Sequence, residues 1–452
     1  MQKITLIVVT LFVTAFTKAQ LSPAITSWLQ NTTVTGTYYP KTGPVVVTPN
    51  NILVNCQSVQ YTNDNVYVAT KGMPAYTVGP YLDMNPNQAG DQNAIFKFPL
   101  APTQNTGTPT GTPMGNIGVF INGVAAFDAK DGVSWKASTS AWAGGPGGGT
   151  GDGVWQRDAI VYERAGFDCA KGHPAGTNYH HHQNPSAFKF DLNVISNVCN
   201  PYDANGLYVI DSTQHSPLLG FAYDGFPIYG AYGYKNADGT GGVVRMKSGF
   251  QLRNISVRNT INGASVSAGP PINTTYPLGS CIQDYEWIAH TGQADYLDIH
   301  NGRFCITPEY PNGTYCYFAT VNENWNSVYP YLIGPTFYGV FANRKVASIS
   351  EPTTTYTPST TVISEAEFYH LKITVYPNPA TDLVLVQVGD LVKYDLDVQL
   401  FDALGRLVKQ TQLIKGNTIA YFDAETLYSG TYFVKVSSGK VNATKRVLIQ
   451  HE

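Results

Sequence analysis

The chain has 452 residues, a formal net charge of −3 and only 13% charged residues, about half the ~25% usual for globular proteins. Charge-driven disorder of the bulk and a nucleic-acid binder with a basic footprint are both excluded. With 30 tyrosines, 43 glycines and 28 prolines, the composition favours short, aromatic-faced strands joined by many turns over a helical bundle.

In chain order, residues 1–19 read as a secretory signal. Lys3 is a short positive region, Ile4 to Phe16 is mostly apolar, and Thr17-Lys18-Ala19 supplies the cleavage point, after Ala19 or Gln20. The apolar run is shorter than the ~18–20 residues a membrane span needs, and no later stretch is long enough. An exported protein without a transmembrane span after signal removal is expected.

Residues 20–347 form one β-rich domain. Runs such as Val66 to Thr70 and Ile117 to Ile121 alternate with period two between turn residues, the strand signal. Thr103 to Asn116 and Gly144 to Gly153 read as loops; the second is glycine-rich but lacks the Gly-Lys-Ser/Thr ending of a phosphate loop. Residues 348–367 are rich in Thr and Pro and read as a linker. Residues 368–452 return to alternating strands (Ile373 to Tyr376, Leu383 to Val388, Asp397 to Phe401, Thr431 to Val436, Lys445 to Ile449), which suggests a small, Ig-like β-sandwich.

The 6 cysteines (Cys56, Cys169, Cys199, Cys281, Cys305, Cys316) suit an oxidising destination, and no Cys-x-x-Cys pair supports a zinc ribbon. Their connectivity stays open. Cys169 and Cys199 bracket the histidine segment, where a bridge is worth about 3–4 kcal/mol by chain entropy. Cys305 and Cys316 bracket a Pro311-Asn312-Gly313 turn.

The richest chemistry lies in Gly172-His173-Pro174 and Tyr179-His180-His181-His182. On an extended strand His180 and His182 share one face and His181 takes the other. A His-x-His pair thereby offers two ligands to one ion, zinc or copper being the expected cofactors. His173 can fold back across the Pro174-Ala175-Gly176 turn, and His215 is a further candidate ligand. The plain alternative is packing, each ring hydrogen-bonded to backbone, Tyr or Asp. Tyr179, Asp224, Asp298, Asn301 and Arg303 are candidates to support the ligands or hold a substrate, Asp224 by accepting an imidazole N–H; turn formation explains the Asp and Asn equally well. His290 and His300 read as surface or packing residues.

Two function classes stay open, and no reaction can be named. Neither a nucleophile elbow, a His-Glu-x-x-His helix nor a nucleotide fingerprint occurs. Asp158, Glu163, Glu286 and Glu309 have no spacing that marks a hydrolytic pair. One class is a surface metalloprotein. The other is a non-catalytic adhesive module whose Tyr and Trp rings stack on glycans or peptides.

Two resemblances add to this reading. Tyr376-Pro-Asn-Pro379 with Asp382, Leu400 to Val408, and Gly430 to Val436 resemble the type A C-terminal sorting domain of the type IX secretion system. That resemblance implies passage through the periplasm and recognition by the type IX machinery. It also implies release, or attachment to a surface glycan or lipopolysaccharide. Gly172 to Pro174, Tyr179 to His182, Asn122 to Val124, Leu219 to Gly230, Leu297 to Arg303 and Tyr329 to Tyr331 resemble the YHYH protein family, named for a Tyr-His-Tyr-His tetrad. His181 stands where the tetrad has its second Tyr. This resemblance implies no settled activity, fold or ligand.

Overall fold

The structure, a computed structural model, describes residues 21–42, 46–82, 87–145, 148–191, 198–199, 204, 206–342, 344–358, 373–388, 395–403, 405–414, 417–438 and 441–451. The expected signal segment lies outside these residues. The chain is mainly β, with 40% of it in strands and 5% helical. It divides into two units, Met1–Thr357 and Pro358–Glu452. Among the described residues no helix is long and apolar enough to cross a membrane.

Two sheets dominate the first unit. One runs in the order Lys345–Val346, Ala94–Pro99, Asn65–Thr70, Cys56–Tyr61, Thr354–Tyr356. Thr354–Tyr356 belongs to the stretch that composition assigns to a linker, yet it pairs antiparallel with Cys56–Tyr61. Thr and Tyr tolerate an edge position well, so a Thr/Pro-rich run can end a sheet as readily as span a gap. The second sheet has eight strands in the order His173–Ala175, Asn178–His181, Ala125–Phe127, Asn116–Phe120, Leu218–Ala222, Pro227–Tyr229, Thr314–Phe318, Gly302–Cys305.

One apolar core spans both sheets. Val59, Val66 and Phe98 of the first share it with Phe120, Phe221 and Tyr317 of the second. Trp28 joins them directly, with ring centroids 5.6 Å from Phe98 and 5.3 Å from Phe221. Such rings carry most of the burial energy, because each hides a large apolar area.

The tyrosines also serve a second purpose: several donate their hydroxyl to a buried carboxylate. Tyr179 donates to Asp168 at 2.9 Å, Tyr315 to Asp298 at 2.9 Å, Tyr317 to Asp224 at 2.5 Å and Tyr331 to Asp158 at 2.6 Å. A buried carboxylate without donors is costly, and a phenol supplies one without adding charge.

Cys169 and Cys199 form a disulfide. Cys56, Cys281, Cys305 and Cys316 are free and buried, so the Cys305–Cys316 bridge that the turn suggested is not formed. The register explains the offset: Cys305 lies opposite Thr314, and Cys316 opposite Arg303, so the two thiols are diagonal neighbours.

In the second unit a three-stranded sheet (Ile373–Tyr376, Leu383–Val388, Ile419–Asp423) and a four-stranded sheet (Leu407–Leu413, Leu396–Asp402, Gly430–Ser438, Val441–Ile449) share a core of Val384, Val386, Val398, Leu400, Val434 and Val447. That arrangement is consistent with the expected sandwich. Leu407–Leu413 and Ile419–Asp423 are strands that alternation did not reveal, because the first is largely exposed on both faces.

Candidate metal centre

The histidine segment is a hairpin at one edge of the eight-stranded sheet. His173–Ala175 pairs antiparallel with Asn178–His181, placing His173 opposite His180 and Ala175 opposite Asn178. Gly176, at φ 59°, makes the turn. Asn178–His181 then pairs in parallel with Ala125–Phe127, whose position is fixed by the preceding Asn122-Gly123 turn. Gly123 has φ 78° and a Cβ there would collide with Thr70, so only glycine closes this turn. Gly172, just before His173, passes so close under Tyr179 and His181 that a Cβ would strike both rings.

Three imidazoles meet on one face. Ligating nitrogens of His173, His180 and His182 all lie within 4.8 Å of one another, and all three residues are buried. His180 Nε2 and His182 Nε2 are 3.0 Å apart. His180 Nδ1 lies 2.9 Å from the Asn178 carbonyl and His182 Nδ1 2.5 Å from the Asp128 carbonyl. A carbonyl only accepts, so both Nδ1 atoms carry protons and, in neutral rings, both Nε2 atoms present bare lone pairs to each other. Burial, and after it the neighbouring His182 and His173, hold the His180 imidazole well below its usual range. That favours the neutral His180 ring, the form that binds metal.

The walls are apolar. Phe127 stacks on His180 with centroids 3.6 Å apart, and Phe167 meets His173 edge-on at 4.8 Å. Water is kept from the rings, which strengthens any interaction with a charge placed between them.

Glu163 enters from outside the hairpin. Its Oε2 lies 3.3 Å from His173 Nε2 and 3.1 Å from His182 Nε2. Burial raises its carboxyl, but His173 and His182 outweigh that and hold it down at about 2. Glu163 ends the short helix Ala159–Glu163, whose N-cap is Asp158. Asp158 Oδ1 accepts from the Ile160 and Val161 amides at 2.9 and 3.3 Å, and Oδ2 accepts from Tyr331 at 2.6 Å. Capped on one side and bonded to Tyr331 on the other, Asp158 sets the direction in which the helix delivers Glu163.

The sequence candidates thus separate. The structure brings His173, His180 and His182 together; His215 is not among them. His215 Nδ1 bonds the Ser216 carbonyl at 2.8 Å, and its ring packs against Tyr229, Tyr234 and Phe318. His181 points to the opposite face, with Nε2 2.6 Å from the Tyr76 hydroxyl and Nδ1 3.1 Å from the Lys171 carbonyl. Tyr179 donates to Asp168 and meets His181 edge-on. Asp224, read as an acceptor for an imidazole, instead takes Tyr317 O–H and the amides of Phe226 and Gly339. Asp298 takes the Tyr315 hydroxyl and the His300 and Gly302 amides. Asn301, at φ 64°, donates to the Phe318 and Leu332 carbonyls. Arg303 donates to the carbonyls of Tyr234, Lys235 and Ala294. Glu163 is the member of the cluster that sequence reasoning left unassigned.

Residues 95–329 match the family model described as YHYH protein, just over half of the chain. The chain belongs to the YHYH protein family. All three clustered histidines of this YHYH protein, and Glu163 with them, fall inside the matched region. Residues 374–450 match the secretion system C-terminal sorting domain. This YHYH protein is therefore cargo of the type IX secretion machinery, sent to the cell surface or released. No curated protein matches the chain.

Proposed function

We propose that this YHYH protein is a surface or secreted metalloprotein whose ion, zinc or copper, is bound by His173, His180 and His182. One observation carries the reading. Both Nδ1 atoms are spent on carbonyls, so His180 Nε2 and His182 Nε2 face each other across 3.0 Å, with a carboxylate oxygen 3.1 Å from one of them. Lone pairs converge at such distances around a cation. Two ligands on one zinc ion, at ~2.0–2.1 Å and near-tetrahedral angles, stand about 3.3 Å apart. Imidazole donors suit both zinc and copper.

The inferred route to the surface runs through the periplasm, with residues 1–19 removed first and residues 368–452 read by the type IX machinery.

The test is metal analysis of the secreted, tag-free chain beside a His180→Ala/His182→Ala double variant. Zinc or copper stoichiometric with the wild-type chain and lost from the variant is expected. Equal metal in the two preparations would end the reading.

A further inference from the structure

We propose that Glu163 is the fourth ligand of this centre, and that with it the ion is closed to ligands from solvent. The inference rests on reading the histidine trio as a metal centre; it adds how that centre is completed and what it excludes.

The carboxylate is where a ligand has to be. Glu163 Oε2 is 3.3 Å from His173 Nε2 and 3.1 Å from His182 Nε2, in line with the 3.0 Å between His180 Nε2 and His182 Nε2. All of these match the ~3.3 Å edge of a four-coordinate zinc site. The His182 proton already sits on Nδ1, facing the Asp128 carbonyl at 2.5 Å. That leaves His182 Nε2 as the ring atom turned to Glu163, so the carboxylate oxygen stands beside a ring nitrogen of both His173 and His182 at the spacing two ligands of a shared ion adopt.

The carboxylate also arrives by a separate route. The histidines come from one hairpin, whereas Glu163 comes from the helix that Asp158 and Tyr331 orient. An ion held by both ties the sheet edge to that helix.

Finally, exposure assigns the role. The His173 and His182 side chains are 6% and 3% exposed, and Glu163 is 23% exposed. Phe127 and Phe167 pack on the rings. Glu163 is thus the most exposed member, while its Oε2, the oxygen that faces the histidines, is itself buried. A zinc site with three protein ligands keeps a position for water, whereas one with four does not. With Glu163 bound, the centre holds its ion without an open position.

Cobalt(II) is the probe, loaded into the chelator-stripped full chain and followed by its visible d–d bands, with azide as the entering ligand. Wild type is expected to show intense four-coordinate bands that azide leaves unchanged. Glu163→Ala is expected to bind cobalt at least about ten-fold more weakly and to respond to azide. Glu163→Gln, which preserves shape, guards against a folding defect and is expected to weaken binding in the same direction. If both variants bind cobalt like wild type and ignore azide, or if azide already shifts the wild-type bands, Glu163 is not a closing ligand although the trio still binds metal. If wild type binds no cobalt, the trio reading itself fails.

Discussion

Removing one oxygen, in Tyr317→Phe, tests whether tyrosine–carboxylate pairs hold the large sheet together. The Tyr317 ring is fully buried; its hydroxyl donates to Asp224 at 2.5 Å and accepts the Tyr338 amide at 2.8 Å. The substitution strips the acceptor from Tyr338, and an orphaned buried donor costs about 1–3 kcal/mol. Asp224 keeps the Gly339 and Phe226 amides, at 2.8 and 3.2 Å. Its share of the loss is capped, because burial has already pushed its carboxyl up to about 6. At neutral pH it can take up a proton for about 1.4 kcal/mol rather than stay ionised with fewer donors. The total is therefore about 2–4 kcal/mol at pH 7. Near pH 5 the folded wild type already holds Asp224 neutral, so that share fades and about 1–3 kcal/mol remains. Urea unfolding of both chains at the two pH values, followed by near-ultraviolet circular dichroism, measures the difference. A penalty below about 1 kcal/mol at pH 7, or one that grows on acidification, refutes the reasoning.

Two further outcomes are expected. Burial raises Asp168 from 3.8 to about 6, against the pull of the Gly172 and Gly79 amides and Tyr179. Because the folded value lies above the unfolded one, its contribution is complete below pH 4 or so and is lost as pH rises through about 6. Relative to Asp168→Asn, wild type should lose on the order of 3 kcal/mol between pH 4 and 7; parallel pH profiles in thermal unfolding would contradict this. Separately, zinc added to the chelator-stripped chain should raise its unfolding free energy by about 2.7 kcal/mol at a hundred-fold excess over Kd. The His180→Ala/His182→Ala variant should show no such rise, and an equal rise in both would place the ion elsewhere.

What the sequence revealed follows from the range of each interaction. Strand periodicity is local, so the shared face of His180 and His182 was legible from three consecutive residues. The fold-back of His173 was legible too, since Pro174 to Gly176 is a turn beside it. Glu163 was not. Its helix is five residues long, too short for a periodic pattern, and nothing in its neighbours marks it as a partner of the histidines. An Asp N-cap at position 158, just ahead of Ala159 and 14 positions before Gly172, was the only local signal. Asp224 and Tyr317 stand 93 residues apart, and Asp158 and Tyr331 173 apart. Abundant tyrosine announced aromatic strands, but no local rule assigns a phenol to a distant carboxylate. His215 shows the converse: a histidine beside a turn carries no direction, and this one turns into Tyr229, Tyr234 and Phe318.

The departure from the family's tetrad at His181 is explained by the same two-sided strand. His181 Nδ1 faces the Lys171 carbonyl at 3.1 Å, so Nδ1 carries the proton and Nε2 accepts from the Tyr76 hydroxyl at 2.6 Å. Burial pushes this imidazole down to about 3, so it stays neutral and keeps that tautomer. A tyrosine at this position has one oxygen, and the imidazole has two nitrogens that satisfy the two neighbours separately. Because successive side chains alternate across the strand, this exchange takes place on the face turned from His180 and His182. Within the tetrad, then, the two histidines at 180 and 182 belong to the cluster that could hold a metal ion, while positions 179 and 181 fasten the hairpin to Asp168, Lys171 and Tyr76. The fastening can change its chemistry without disturbing that cluster, provided both buried polar groups around position 181 keep a partner.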